Sequence, residues 1–205
     1  MKKAAVMLIV GFLVLSMTGV ASAIMITATA SGDSQPNTAE YPNAVQNGDF
    51  EIIANSEVVP LVGDGIDEYT IWNFDFSGAT DDGALSLGDT LAVANLTLTL
   101  TPKDSLITTD SIGIDGLLHM FDPVQSLPVG VTSTITIDLL SYYDSAEILG
   151  SLFGGDIGMI PMKYQDDSIL SFAQLDLAPV PEPTTMLLLG TGIIGMAGFR
   201  RKFKK

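Results

Sequence analysis

The side chains that could do chemistry in this 205-residue chain are overwhelmingly carboxylates, 24 of them beside a single histidine and no cysteine. Hard oxygen ligands suit Ca²⁺. The densest sets are Asp64, Asp67 and Glu68 in "GDGIDEY" and Asp81, Asp82 and Asp89 in "DDGALSLGD". Neither has the alternating acids and closing Glu of an EF-hand loop. Turn-forming aspartates with solvated charge are therefore the plainer reading, and a structural calcium the sharper one. His119, in "GLLHMFD", would have to serve any Ser/His/Asp arrangement. Its apolar neighbours Leu117, Leu118, Met120 and Phe121 fit a packed or edge-strand histidine better. No Gly-x-Ser-x-Gly elbow surrounds a serine, and a zinc site of several His or Cys ligands is impossible. Paired carboxylates could serve a glycosidase, but among so many acids some pair falls at a suitable separation by chance. No catalytic residue is expected, and the chain reads as a non-enzyme.

Trp72, Tyr69, Tyr142 and Tyr143 could stack on sugars if exposed. Trp72 is in phase with Phe74 and Phe76, which predicts core, whereas Tyr142-Tyr143 in a strand would turn one ring outward. Thr97, Thr99 and Thr101, and again Thr132, Thr134 and Thr136, recur at alternate positions. β-propensity accounts for a threonine-rich solvent face. A flat ice-binding face is the remote alternative, and the stacked repeats it usually needs are missing.

These residues have to be positioned by strands. "TIWNFDF", "NLTLTLT" and "STITIDL" alternate apolar and polar with period two, the pattern of half-buried strands. Phe50–Pro60, Thr109–Asp115, Gly158–Tyr164 and Ile169–Ala178 are further candidates. In the last, Leu170 and Phe172 share one phase and Leu175 and Leu177 the other, which predicts a β-bulge or burial on both faces. Gly, Asp and Pro clusters between the runs supply turns. Only "DSAEILGSLFGG" has helical spacing, with Asp144 and Glu147 as a capping box and Gly154-Gly155 as a stop. The expectation is an all-β, mainly antiparallel sandwich, jelly-roll or Ig-like, with one short inserted helix.

The two ends differ from this body. "MKKAAVMLIVGFLVLSMTGVASA" places Lys2 and Lys3 before a short apolar run and ends on Ala21-Ser22-Ala23. That is the layout of a secretory signal peptide cut by signal peptidase after Ala23. At the other end, the uncharged Gly-rich run from Thr184 to Phe199 is followed by Arg200, Arg201, Lys202, Lys204 and Lys205. As a helix it would reach about 24 Å, short of the ~30 Å hydrocarbon core. The basic cluster would hold it as a stop-transfer segment with the body outside the cytoplasm. Between the ends lie two lysines, Lys103 and Lys163, and 23 acids, a net −21. Such a body repels nucleic acid. The expected division is a signal peptide 1–23, a polar lead-in 24–48 holding at most a first short strand, a β-sandwich ectodomain 49–179 and a terminal segment 180–205.

Pro181-Glu182-Pro183, then the apolar run, then the basic end closely resembles the PEP-CTERM sorting signal of Gram-negative bacteria. The resemblance covers about 26 residues and leaves the body unassigned. It implies exosortase as a processing partner, cleavage near Pro181-Glu182-Pro183, transient anchoring in the inner membrane and release to the cell surface or medium. It also implies an exopolysaccharide or biofilm context. The body is then a structural or interaction protein of the cell surface or matrix, with a carbohydrate-binding module for self-produced polysaccharide as the alternative.

Overall fold

A computed structural model of the chain describes residues 24–55, 60–104, 111–114, 117–120 and 126–181. The signal and C-terminal helices expected from the sequence lie outside these residues. Twelve strands follow in chain order: β1 (Ile26–Ser31), β2 (Ala39–Glu40), β3 (Val45–Asn47), β4 (Phe50–Ala54), β5 (Leu61–Val62), β6 (Glu68–Asp75), β7 (Leu91–Pro102), β8 (Ser111–Ile114), β9 (Leu117–Met120), β10 (Ser133–Asp138), β11 (Met159–Asp166) and β12 (Ser168–Pro179). They form a four-stranded sheet ordered β1-β12-β7-β10 and a six-stranded sheet ordered β3-β4-β6-β11-β8-β9, with β2 and β5 paired separately. The pairings are antiparallel throughout.

Alternation decides which side chains meet. Leu96, Leu98 and Leu100 of β7 and Leu175 and Leu177 of β12 join Trp72 and Phe74 of β6 and Ile160 and Met162 of β11 in one buried cluster shared by both sheets. This is the all-β sandwich expected. Trp72 stands edge-on to Phe50 and to Phe74, with ring centroids 5.7 and 6.0 Å away, the arrangement favoured by ring quadrupoles.

The phase break in β12 is a bulge. The register slips between Leu170 and Phe172, leaving Ser171 without a register partner on β7, though its hydroxyl donates to the Thr99 carbonyl at 3.2 Å. Leu170 therefore faces the core with Ala173, Leu175 and Leu177, while Phe172 turns outward and is only half-buried. The shared phase read for Leu170 and Phe172 is thus undone by the extra residue between them.

Residues 24–48 contribute more than a lead-in. β1 pairs along its full length with β12, and β3 forms a hairpin with β4. The inward residues of β1 are Ala28 and Ala30, so the sandwich begins at Ile26, not at residue 49. The helix at Ser145–Gly154 carries the expected capping box, Asp144 accepting from Glu147 N–H and Glu147 from Asp144 N–H, both at 2.8 Å. It is α2 in chain order. A five-residue helix, α1 (Ser77–Asp81), precedes it and was not expected. It has no buried side chain, so no apolar periodicity marks it.

Candidate functional site

On the outer face of the six-stranded sheet lies a groove of about 390 Å³. Its floor is the outward side of β6, where Tyr69, Ile71 and Asn73 alternate with the buried Thr70, Trp72 and Phe74. Register supplies the walls: Glu51 of β4 and Lys163 of β11 both pair with Ile71, and Pro161 pairs with Asn73. Two interstrand steps separate Glu51 from Lys163, roughly 10 Å. Gln46 and Asp49, from the β3–β4 hairpin, extend the Glu51 side. The hairpin loop is Gly48-Asp49, and Gly48 has φ +62°. A side chain there would also strike the Ser31 carbonyl.

The polar groups of the groove differ in what they already bind. Gln46 Nε2 donates to the Gly48 and Phe50 carbonyls at 2.9 and 3.1 Å, which leaves its oxygen turned to accept. Asp49 Oδ2 accepts from Ser31 N–H at 2.8 Å and ties the hairpin to β1. Lys163 Nζ sits 3.3 Å from the centre of the Tyr69 ring, a cation–π contact. Partial burial lowers its pKa from the ordinary lysine value. The side chains of Glu51 and Asn73 make no hydrogen bond to the described residues. The groove therefore presents acceptors chiefly, plus the Asn73 amide, over an apolar strip of Ile71 and Pro161. This can hold a hydroxyl-rich ligand by hydrogen bonds. Of the residues in and beside the groove, sequence reasoning singled out Tyr69 and Trp72 as candidates for sugar stacking, and Trp72 meets the groove only from the core side. The available signals were Lys163, one of two lysines in the body, and the outward phase of Asn73.

The carboxylates considered for calcium are engaged in turn geometry. Glu68 is 3% exposed, and its carboxylate accepts from the backbone N–H groups of Gly63, Asp64 and Gly65. Burial pushes its pKa up to about 7, against the pull of those amides, and Asp64 adds to the rise. Asp64 accepts from Ile66 N–H, and Asp67 is held with φ +52° while its N–H reaches Asp167. Asp89 accepts from Ser86 N–H. Asp81 and Asp82 are exposed at the end of α1. Among the described residues, no three carboxylate or imidazole groups gather into a set that would hold a metal ion.

Of the aromatic candidates, Trp72 and Tyr143 are buried, at 4% and 3% exposure. The Trp72 indole N–H has no hydrogen-bond partner among the described residues. Tyr69 is capped by Lys163, and Tyr142 turns outward. His119 lies on β9, the edge strand of the six-stranded sheet, edge-on to Tyr143 with centroids 4.7 Å apart. That is the packed edge-strand position expected for it. The threonines do form a face: Thr97 with Thr136 and Thr99 with Thr134 pair their hydroxyls across β7 and β10, and Thr101 pairs with Thr132 just before β10, at 2.7–2.9 Å.

Strand β12 ends at Pro179, and Val180 is half exposed just before Pro181. The fold thus defines an antiparallel β-sandwich with a short segment leaving its last strand. Residues 179–202 match the family model of the PEP-CTERM protein-sorting motif. The chain carries that sorting motif, and the sandwich lies outside the match except for Pro179 at the end of β12. The motif supports export and sorting of the protein to the cell envelope with processing by exosortase. No curated protein matches the sequence. Among the described residues, no helix is long and apolar enough to cross a membrane.

Proposed function

We propose that the protein is a non-enzymatic interaction protein of the cell surface or extracellular matrix, which engages self-produced polysaccharide through the groove over β6. The observation that carries this is the pairing of an unpartnered Glu51 and Asn73 with an apolar strip, on a body whose other described turn carboxylates mostly satisfy backbone amides. Exposed donors and acceptors beside an apolar strip can meet sugar hydroxyls while the ring rests on the apolar surface. The signal peptide, cleaved by signal peptidase, delivers the body across the inner membrane. The C-terminal segment holds it there until exosortase acts near Pro181-Glu182-Pro183.

Two measurements test this. Binding of polysaccharide from the producing cells should be lost in an Asn73→Ala/Glu51→Ala variant that unfolds at the wild-type temperature. Unchanged binding would remove the groove from the account. Deleting Val180–Lys205 should move the protein from membrane to medium. Membrane retention of that variant would show that the segment is not the anchor.

A further inference from the structure

Charge decides which glycans the groove can take. We propose that it selects an amine-bearing amino-sugar polysaccharide and rejects uronate or phosphorylated ones; this rests on the glycan reading above. Asp49 and Glu51 line one side and Lys163 the other. Lys163, the one cation lining the groove among the described residues, is already committed, its Nζ lying 3.3 Å over the Tyr69 ring. An anionic sugar would have to pull Lys163 from that ring and would still face two carboxylates. The surroundings reinforce the sign, because the body carries 23 acids and two lysines. Its summed field repels anions at a distance and concentrates cations.

Geometry places the selection on Glu51. Asp49 is tied to Ser31 by its N–H and hydroxyl, whereas Glu51 has no described partner. Glu51, Ile71 and Lys163 form one row across three strands. A sugar ring resting on Ile71 fits the roughly 10 Å between the two charged residues. An ammonium on that ring would meet Glu51 in a charge-assisted hydrogen bond, and the ring hydroxyls would meet Asn73 and the Gln46 oxygen.

The test is calorimetric titration of the full chain in non-ionic detergent with three oligosaccharides of equal length: glucosamine, N-acetylglucosamine and uronate. The expected result is binding of the glucosamine oligomer, weakened about tenfold or more by Glu51→Gln, as loss of a charge-assisted bond requires. Asp81→Asn/Asp82→Asn, which removes two exposed charges outside the groove, should leave it within about twofold. That control separates the site from general attraction of a polycation to an acidic body. Equal binding of the N-acetylated oligomer, or a preference for the uronate, would overturn the amine selection while leaving the groove as a glycan site. Equal losses from Glu51→Gln and the control pair would also overturn it. Failure of all three oligomers to bind would remove the glycan reading itself.

Discussion

The outer faces of the two sheets are both polar, yet they dispose of their polar groups in opposite ways. On the four-stranded sheet, threonine hydroxyls of β7 bond those on and just before β10, and Asp176 takes the Thr27 hydroxyl and the Gln174 amide. On the six-stranded sheet, the Glu51 and Asn73 side chains stand beside an apolar strip with no hydrogen-bond partner among the described residues. Hydrogen bonds made within the protein contribute order and some stability, but they leave little for a ligand to gain. Groups left unpartnered contribute nothing to the fold and are available for recognition. The contrast separates a face that maintains itself from a face that can bind.

Glu68 is the extreme of the first kind and gives the largest expected effect. Only three residues of β4 and β6 separate its register position from that of Glu51: Glu68 pairs with Ala54, and Glu51 with Ile71. One glutamate is saturated by three amides, the other by none. Glu68→Ala would orphan those amides in a buried loop and should cost roughly 3 kcal/mol in urea unfolding. Glu51→Ala should stay within about 0.5 kcal/mol. Comparable losses from both would erase the distinction.

Glu68 also fixes a pH dependence. Its folded-state pKa of about 7 lies above its ordinary 4.5, so the native state keeps the proton longer than the unfolded chain. The stabilisation is complete below about 4.5 and is lost as pH rises through about 7. Unfolding free energy should therefore fall across this window, and Glu68→Gln should flatten the fall. A wild-type profile matching that of the variant would show that Glu68 does not titrate there. In the groove the corresponding effect is on affinity: Asn73→Ala should weaken glycan binding several-fold, on the order of 1 kcal/mol for one hydrogen bond, with no change in melting temperature.

How much of this was legible in the sequence follows from the range of each interaction. Period-two alternation placed Trp72, Phe74, Leu96, Leu98 and Leu100 inside, and the Asp144/Glu147 box is written within four residues. The phase break in β12 marked a bulge, although only the register shows that Ser171 is the extra residue. The reach of the sandwich back to β1 was harder to see, because Ala28 and Ala30 bury little area and leave a weak apolar signal. The groove as an assembly was not readable, although the outward phase of Asn73 and the rarity of Lys163 were. Gln46, Glu51, Asn73 and Lys163 come together only through the pairing of β4, β6 and β11, and strand pairing over more than a hundred residues has no local signature. The sorting motif, contiguous in sequence, was readable at once.

The smallest expected effect tests the self-maintaining face. Thr99 and Thr134 are register partners with hydroxyls 2.9 Å apart. Both are solvent-facing, so a hydroxyl left alone can turn to water and the penalty stays small. Thr99→Val or Thr134→Val should each cost about 0.5–1 kcal/mol, within the range of cross-strand pairs. The double variant replaces the hydrogen bond by a valine–valine contact of the same shape and β-propensity. It should lose less than the sum of the singles, a coupling measured by a double-mutant cycle in urea. Strict additivity would mean that the two hydroxyls are satisfied separately by water. The threonine face would then be as open to a ligand as the groove, and the contrast between the two sheets would disappear.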